Sequence, residues 1–271
     1  MSLSYLVTGG NGHLGSNLVR ALVDSDCFVR ASVRNAAKAK ALDQINCEIV
    51  YADMLDYTSL LAALNGIDVL FHTAAVFRHW APDPDKEIIQ PNLLGTENIL
   101  RAAAACGVRR VIYVSSIVAL GRDKLPMSET TWNTTNVNPY YQSKTEAEQL
   151  AWRLAKELGL DLITVLPAAI IGPVFTEQLT PTMQLLFNIA HNRVPFDVNF
   201  GLNCVHVNDV VEGMLLASEL GRAGERYILG NRNSISTGQI FDIAEEMGLG
   251  IVKPPVIQKS QLMSMAKQAL D

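Results

Sequence analysis

Cysteines are few in this sequence, and their positions argue against a disulfide framework and a cysteine metal site. The 271 residues contain only Cys27, Cys47, Cys106 and Cys204, which lie far apart and form no CxxC pair. Zinc sites and disulfide-rich domains place their cysteines at short, recurring spacings. We therefore interpret all four as buried thiols in a reducing compartment, and we predict no metal site.

An excess of positive charge is also absent. The sequence has 22 Lys and Arg residues against 27 Asp and Glu residues, which gives a formal net charge of −5. Nucleic-acid-binding domains usually carry a basic surface because they neutralise phosphates. The composition therefore predicts no nucleic-acid partner.

Long hydrophobic runs are missing as well. The most apolar stretch of the later sequence, residues 162–175, is interrupted by Pro167, Gly172 and Pro173 and is too short to cross a bilayer. The chain enters its first apolar strand almost at once, with no leader-like segment before it. These features predict a soluble cytoplasmic protein without a membrane partner.

Strand-like and helix-like segments alternate along the chain with short connections. Hydrophobic residues make up 49% of the sequence, which is enough to fill the core of one large α/β domain or of a large and a small lobe. The alternation predicts a doubly wound parallel sheet with right-handed crossovers. Its predicted strands cover residues 5–7, 27–33, 48–51, 67–71, 108–115 and 162–166.

The pattern becomes looser after Pro167, where Gly and Pro residues interrupt the apolar segments before a short strand at residues 226–229. We predict a dinucleotide-binding domain over residues 1–167 and a smaller substrate lobe over residues 168–271, with segments that return to the first domain. Pro91 predicts that the helix over residues 92–106 kinks or begins late, because proline disturbs helical hydrogen bonding.

A glycine-rich turn, Thr8-Gly9-Gly10-Asn11-Gly12-His13-Leu14-Gly15, follows the first predicted strand and opens an amphipathic helix. Two spacings overlap here, because Gly10, Gly12 and Gly15 match G-x-G-x-x-G, while Gly9, Gly12 and Gly15 match G-x-x-G-x-x-G. Either pattern lets the backbone approach a pyrophosphate, and the helix N-terminus offers N–H groups to the phosphates. The strand–turn–helix context predicts a dinucleotide site.

The end of the second predicted strand indicates which dinucleotide is bound. An acid at this place suits the ribose hydroxyls of NAD, whereas an arginine suits the 2′-phosphate of NADP. This chain has Arg34 there and no acid until Asp43, with Lys38 or Lys40 as a second cation. We predict NADP as the cofactor, with NAD as the alternative.

Tyr140 and Lys144 lie four residues apart at the start of a predicted helix, so they share one face. Ser115 and Ser116 end the fifth predicted strand, at the same sheet edge as the glycine turn. A tyrosine beside an ammonium group can transfer a proton to a carbonyl, and we expect Lys144 to lower the pKa of Tyr140. A serine hydroxyl can orient the carbonyl oxygen. His72 ends an apolar strand and is predicted to be a hydrogen-bonded core histidine.

Together these motifs resemble the extended branch of the short-chain dehydrogenase/reductase superfamily. The matching segments are Thr8 to Gly15, Asp53, His72 to Ala75, Asn92 with Gly95 and Thr96, Val114 to Ser116, Tyr140 to Lys144, and Pro167 to Pro173. Within that branch the chain is similar to dihydroflavonol 4-reductase-like proteins and to hopanoid-associated sugar epimerases. The resemblance implies a Rossmann fold and an NAD(P)-dependent enzyme.

The resemblance also implies roles for individual residues. Ser116, Tyr140 and Lys144 form the catalytic set, and Asp53 contacts the adenine. The implied cofactor-binding residues are Gly9, Asn11, Gly12, His13, Leu14, Gly15, Arg34, Asp53, Met54, Ala74, Ala75, Val76, Pro167 and Ile170. Phe77, Ile117 and Tyr141 are candidates to line an apolar substrate pocket, although each is equally suited to the core. A homodimer is implied, through the helices over residues 92–106 and 140–158.

We therefore predict an NADP-dependent oxidoreductase that reduces a ketone or aldehyde of a small organic substrate. Hydride comes from the nicotinamide and the proton from Tyr140. One alternative is an NAD(P)-dependent sugar-nucleotide epimerase or dehydratase. A more distant alternative is a cofactor-sensing protein without turnover, but such proteins often lose the tyrosine or the lysine.

Overall fold

A computed structural model defines the fold and describes residues 3–25, 27–122, 126–135, 138–258 and 260–263. The strands are β1 (Ser4–Thr8), β2 (Phe28–Val33), β3 (Glu48–Tyr51), β4 (Val69–His72), β5 (Arg110–Val114), β6 (Leu162–Pro167), β7 (Ala169–Ile171), β8 (Gly201–Leu202), β9 (Cys204–His206), β10 (Arg226–Leu229) and β11 (Ile235–Ser236). The helices are α1 (His13–Asp24), α2 (Tyr57–Leu64), α3 (Gln90–Ala105), α4 (Pro139–Leu158), α5 (Pro181–Ala190), α6 (Val207–Leu220) and α7 (Thr237–Glu246).

Seven strands form one parallel sheet in the order β10-β6-β5-β4-β1-β2-β3. From β3 to β6 this is the 3-2-1-4-5-6 order of dinucleotide-binding sheets, which reverses between β1 and β4. The predicted doubly wound parallel sheet is confirmed. Because all these strands run the same way, the segments that follow β1 to β6 begin at one edge, here termed the carboxyl edge.

Helices cover both faces of this sheet, so its strands are apolar on both sides. Val7 and Phe71 pack with α1 and α6 on one face, whereas Leu6 and Leu70 pack with α2, α3 and α4 on the other. Alternate residues of a strand point to opposite faces, which explains why β1 and β4 are apolar at every one of these positions. The buried sheet is therefore a rigid platform for its carboxyl edge.

The irregularity that Pro91 predicts lies ahead of the helix. Helix α3 begins at Gln90, before the proline, and a π-helical turn at Asp85–Ile89 leads directly into it. Pro91 occupies the first turn of α3, where a proline is tolerated because the first N–H groups of an α-helix lack helical partners. The expectation of a late start was wrong.

Part of the chain after Pro167 returns to the main sheet. Helix α6 packs beside α1 in the same core, and β10 pairs in parallel with β6. The other elements of this region are α5, α7 and two small sheets, β7 with β9 and β8 with β11. Ile189 of α5 and Phe241 of α7 are buried together with Ala244 and Ile251 in a separate small core.

The four cysteines are free thiols. The prediction that they are buried was wrong, since all four are only partly buried. Among the described residues, no three His, Cys, Asp or Glu side chains cluster as metal ligands would. Of the helices described, none combines the length and the apolar content that crossing a bilayer requires.

The buried core predicts a large difference between two leucines on helices. Leu100 of α3 is fully buried, whereas Leu216 of α6 is 48% exposed. We expect Leu100→Ala to lower the free energy of unfolding by about 2–5 kcal/mol, because it leaves a cavity. Leu216→Ala, the matched control, should change it by about 0.5 kcal/mol or less. Urea unfolding measures both, and equal losses would contradict the assignment of these two faces.

Candidate active site

The glycine turn bends at Gly9 and closes on itself at Gly15. Gly9 has φ of +64°, which strains any residue with a side chain, and a Cβ there would lie 3.2 Å from the Cα of Ala74. A Cβ on Gly15 would press against the carbonyl of Gly9 and lie 3.1 Å from the Cα of Gly10. Gly10 serves packing, since its Cβ would meet that of Ala31 at 2.8 Å. Both overlapping glycine patterns therefore have a structural basis.

Helix α1 begins without a side-chain cap. Its N-cap residue is Gly12, whereas α2, α4, α5, α6 and α7 are each capped by a side chain. The first N–H groups of a helix need acceptors, and phosphate oxygens satisfy them well. A cradle that a Cβ would fill, followed by an uncapped helix N-terminus, fits the pyrophosphate of a dinucleotide.

The side chain of His13 points away from the glycine turn, and that of Leu14 packs on the core. The ring of His13 is buried at the start of α1 and faces the carbonyls of Gly172 and Pro173. Burial lowers the pKa of His13. Asn17, one turn later, donates a hydrogen bond of 3.1 Å to the carbonyl of Pro173. A role of His13 in cofactor binding would therefore fall to its backbone.

The positively charged group expected after β2 is exposed at the carboxyl edge. Arg34 directly follows β2 and is exposed. Lys40, the possible second cation, forms an exposed ion pair in which its Nζ lies 2.8 Å from Glu177. The side chain of Lys38 lies outside the described part of the structure. Asp53 follows β3, and one of its carboxylate oxygens accepts a hydrogen bond from the N–H of Leu55.

Met54, beside Asp53, is used in packing. A Cβ on Gly95 of α3 would lie only 2.8 Å from the Sδ of Met54, so a side chain at this position would force Met54 to move. The carbonyl of Met54 accepts a hydrogen bond from Asn98, also on α3. The contact fixes the loop after β3 against the helix that begins beside the site.

The loop after β4 is held from two sides. The Thr8 hydroxyl accepts hydrogen bonds from the N–H groups of Thr73 and Ala74, at 3.1 and 3.2 Å. It also lies 2.9 Å from Nδ1 of His72, which is buried, so the prediction of a hydrogen-bonded core histidine is confirmed. Burial, and next the charge of Lys144, lower the pKa of His72 to about 3.

Asn92 of α3 holds the other side of this loop, which the sequence analysis did not anticipate. Its side chain accepts from the N–H of Val76 at 2.8 Å and donates to the carbonyl of Val76 at 3.1 Å. The same amide donates to the hydroxyl of Ser143 in α4, also at 3.1 Å. Ala74, Ala75 and Val76 are thus tied to the helix that carries Tyr140 and Lys144.

Tyr140 and Ser116 meet at the end of β5. Asn138 caps α4 by accepting from the N–H of Tyr140 at 2.9 Å, which fixes the tyrosine in the first turn. The side chain of Ser116 neighbours that of Tyr140 and acts to lower the pKa of its phenol. The hydroxyl of Ser115 instead donates to Glu148 at 2.6 Å. Of the two serines, Ser116 is thus the one beside Tyr140, and Lys144 follows one helical turn later on α4.

The expected pKa of Tyr140 was wrong in direction. Burial raises the pKa of its phenol to about 12, although the side chain of Ser116 opposes this shift. The Lys144 ammonium also lies in the interior, where its Nζ donates to the carbonyl of Val114 at 3.1 Å. Loss of hydration outweighs a charge that is directed to a backbone carbonyl. Tyr140 is therefore a protonated phenol throughout the neutral pH range.

Aromatic rings cover Tyr140. The ring centroid of Phe77 lies 4.7 Å from that of Tyr140, and that of His79 lies 5.1 Å from it. Tyr141 lies 6.3 Å from both His79 and Tyr140, and the Arg122 guanidinium lies over its ring at 4.5 Å. Phe77 and Tyr141 were expected at this place, whereas His79 was not.

Three other predicted residues lie at or just after the ends of β5 and β6. Ile117 is partly buried and packs into the core beside Ala119 and Leu120. Pro167 ends β6, and Ile170 of β7 pairs with Val205 of β9 while packing on the core shared with α1. The cofactor contacts of Pro167 and Ile170 stay predictions.

Comparison with known proteins identifies the family. The sequence profile of the NAD dependent epimerase/dehydratase family matches residues 5–230. The chain belongs to this family. It is an NAD(P)-dependent enzyme of the extended short-chain dehydrogenase/reductase type, a group that includes reductases and epimerases.

Individual relatives are similar over most of the chain. A Synechocystis sp. protein with the provisional name dihydroflavonol 4-reductase is 35% identical over 94% of this chain and 76% of its own length. Sterol demethylase protein B of Methylococcus capsulatus is 35% identical over 90% of this chain and 74% of its own. The crystal structure of gox2253 matches this chain with a TM-score of 0.88 and 36% sequence identity. The match covers all of this chain and 82% of the gox2253 chain.

The hydrogen bonds of Asn92 to Val76 should stabilise the loop that follows β4, and a substitution tests this. We expect Asn92→Leu to lower the free energy of unfolding by about 1–3 kcal/mol, because it leaves the N–H and the carbonyl of Val76 without their partner. Asn98→Leu, the control on the same helix, removes one partly exposed hydrogen bond and should have a smaller effect, of about 1 kcal/mol. Urea unfolding of both variants decides, and a larger loss for Asn98→Leu would contradict this role of Asn92.

Proposed function

We propose that this enzyme reduces a ketone or aldehyde with NADPH and that Ser116, Tyr140 and Lys144 are its catalytic residues. The observation that carries the proposal is that the buried Ser116, just after β5, neighbours the buried Tyr140, one helical turn before the buried Lys144. Relatives named as reductases support this reaction class.

Tyr140 donates the proton. A bound nicotinamide cofactor supplies the hydride for such a reduction. Tyr140 carries its proton at neutral pH, because burial raises the pKa of its phenol to about 12. The alkoxide oxygen that forms from a carbonyl is more basic than a phenolate, so proton transfer from Tyr140 to that oxygen is favourable.

Ser116 and Lys144 support this proton transfer from opposite sides. The Ser116 hydroxyl donates to the carbonyl oxygen of the substrate and orients it towards Tyr140. The Lys144 ammonium stabilises the phenolate that remains on Tyr140, since a nearby positive charge favours the charged form of a phenol. Phe77 and Tyr141 contact the ring of Tyr140 and would line the space beside the carbonyl.

Residues at the carboxyl edge would hold the dinucleotide. The turn of Gly9, Gly12 and Gly15 and the first turn of α1 accommodate the pyrophosphate, because a Cβ would fill the space beside Gly9. Asp53 lies on the adenine side. Arg34 pairs with the 2′-phosphate, which supports NADP over NAD.

Tyr140→Phe tests the proton donor. We expect kcat to fall by about 10²–10⁴-fold, the usual contribution of a general acid, with cofactor affinity retained. The assay follows NADPH consumption over a panel of aldehydes and ketones. Tyr227→Phe is the control, because the Tyr227 hydroxyl only accepts from the N–H of Arg222 at the opposite edge. Full activity of Tyr140→Phe would refute the proposal.

Arg34→Ala tests the choice of cofactor by fluorescence titration with NADPH and with NADH. Loss of a charge-assisted hydrogen bond of about 1.5–3 kcal/mol should weaken NADPH binding by about 10-fold or more and leave NADH binding unchanged. Arg222→Ala, an exposed arginine at the far end of the sheet, should change neither affinity. Equal binding of NADH and NADPH by the unaltered protein would overturn the assignment of Arg34.

A sugar-nucleotide epimerase is the second candidate, and the family profile favours it. Such an enzyme retains its cofactor through a transient oxidation, so NAD that co-purifies at full occupancy would support this candidate. We also propose that residues 168–271, apart from α6 and β10, form the substrate lobe, and that α3 and α4 form a homodimer interface.

A further inference from the structure

A buried carboxylate on α4, which the proposed mechanism does not use, lies one turn after Lys144. Glu148 has no exposed side-chain surface. Five donated hydrogen bonds reach its two oxygens, from the hydroxyls of Ser115 and Thr164, the indole of Trp152 and two nitrogens of Arg226. A buried charge with this many partners is fixed in position, and its field is poorly screened.

Lys144 and Glu148 form hydrogen bonds with two consecutive residues at the end of β5. Lys144 donates to the carbonyl of Val114 at 3.1 Å, and the hydroxyl of Ser115 donates to Glu148 at 2.6 Å. Residues four apart on a helix share a face, so Lys144 and Glu148 both point at the end of β5. This arrangement places a negative charge beside the ammonium group.

Arg226 joins this pair to the rest of the site. Its guanidinium lies 2.8 Å from Glu148, stacks on Trp132 at 3.9 Å and donates to the carbonyls of Glu129 and Thr131. The ion pair therefore links α4, the strand that returns from the later part of the chain, and the segment that precedes α4.

We propose that Glu148 is a positioning residue whose buried carboxylate keeps Lys144 in its ammonium form and directs it along the end of β5. The proposal rests on the function proposed for Lys144, but its test does not require turnover. Among the described residues, the titratable groups that face Lys144 or Glu148 from other elements are His72 from β4, Tyr113 from β5 and Arg226 from β10. Tyr140 lies one turn before Lys144 on α4 itself.

Lys144 is close to losing its charge at neutral pH. Burial lowers the pKa of Lys144 to about 8, and Glu148 opposes that shift. His72 is neutral, since its pKa is lowered to about 3, and burial raises the pKa of Tyr113. Glu148 is therefore the carboxylate that stabilises the ammonium. Removing an opposite charge typically lowers the pKa of an ammonium group by about 1–3, which would leave about half or more of Lys144 neutral at pH 7.

The test is a pH titration of the full chain by NMR, with ¹³C-labelled lysine and the Lys144 signal assigned from Lys144→Arg. We expect Glu148→Gln to lower the pKa of Lys144 by about 1 or more, and Glu148→Asp, which retains the charge, to stay closer to the unaltered protein. Glu146→Gln is the matched control, because Glu146 lies on the same helix and accepts from Gln142 instead.

Two outcomes would overturn the proposal. One is an unchanged pKa of Lys144 in folded Glu148→Gln, and the other is an equal decrease in Glu146→Gln. If Glu148→Gln fails to fold because Arg226 is left unpaired, Glu148→Gln with Arg226→Met removes both charges. A decrease in the same direction but smaller is then expected, because loss of the Arg226 charge offsets part of the loss of the carboxylate. A protein without carbonyl reductase activity would still give this answer, so failure of the proposed reaction is distinguishable from failure of the role of Glu148.

Discussion

The parallel direction of the seven strands is the constraint on which the rest of the site depends. Because β1 to β6 end at one edge, segments far apart in sequence meet there: the glycine turn, Arg34, Asp53, Ala74 and Ser116. The strands are covered by helices on both faces, so the edge is the part of the sheet that remains available to a ligand. Closeness then depends on small residues, since Gly9 lies against Ala74 and Gly95 against Met54.

Burial determines the electrostatics of this edge. Tyr140, Lys144 and His72 are all buried, and loss of hydration is the largest influence on the pKa of each one. The result is a protonated phenol, an ammonium close to its pKa at neutral pH and a neutral imidazole. Such groups are sensitive to one nearby charge in a way that exposed groups are not. That sensitivity is the basis of the role proposed for the buried carboxylate of Glu148 in setting the charge of Lys144.

Particular residues show where reasoning from sequence succeeded. The glycine turn, the strand ends and the Tyr140–Lys144 spacing all follow from local patterns, and the structure has β3 at residues 48–51, as predicted. Asp56 caps α2 and Gly159 ends α4, because capping depends on neighbouring residues. The same reasoning failed at Pro91, where a π-helical turn precedes the helix.

The sequence by itself determined the class of fold, the place of the dinucleotide turn and the residues expected to do the chemistry, because these features depend on short-range spacing and on the period of apolar residues. The tertiary structure decided the raised pKa of Tyr140 and the packing of the His79 ring on it. It also decided the hydrogen bonds between Asn92 and Val76 and the partners of Glu148. Each of these depends on burial or on contacts between distant segments, such as Glu148 with Arg226, 78 residues apart. Local patterns carry no information on such pairs, since the fold alone brings them together.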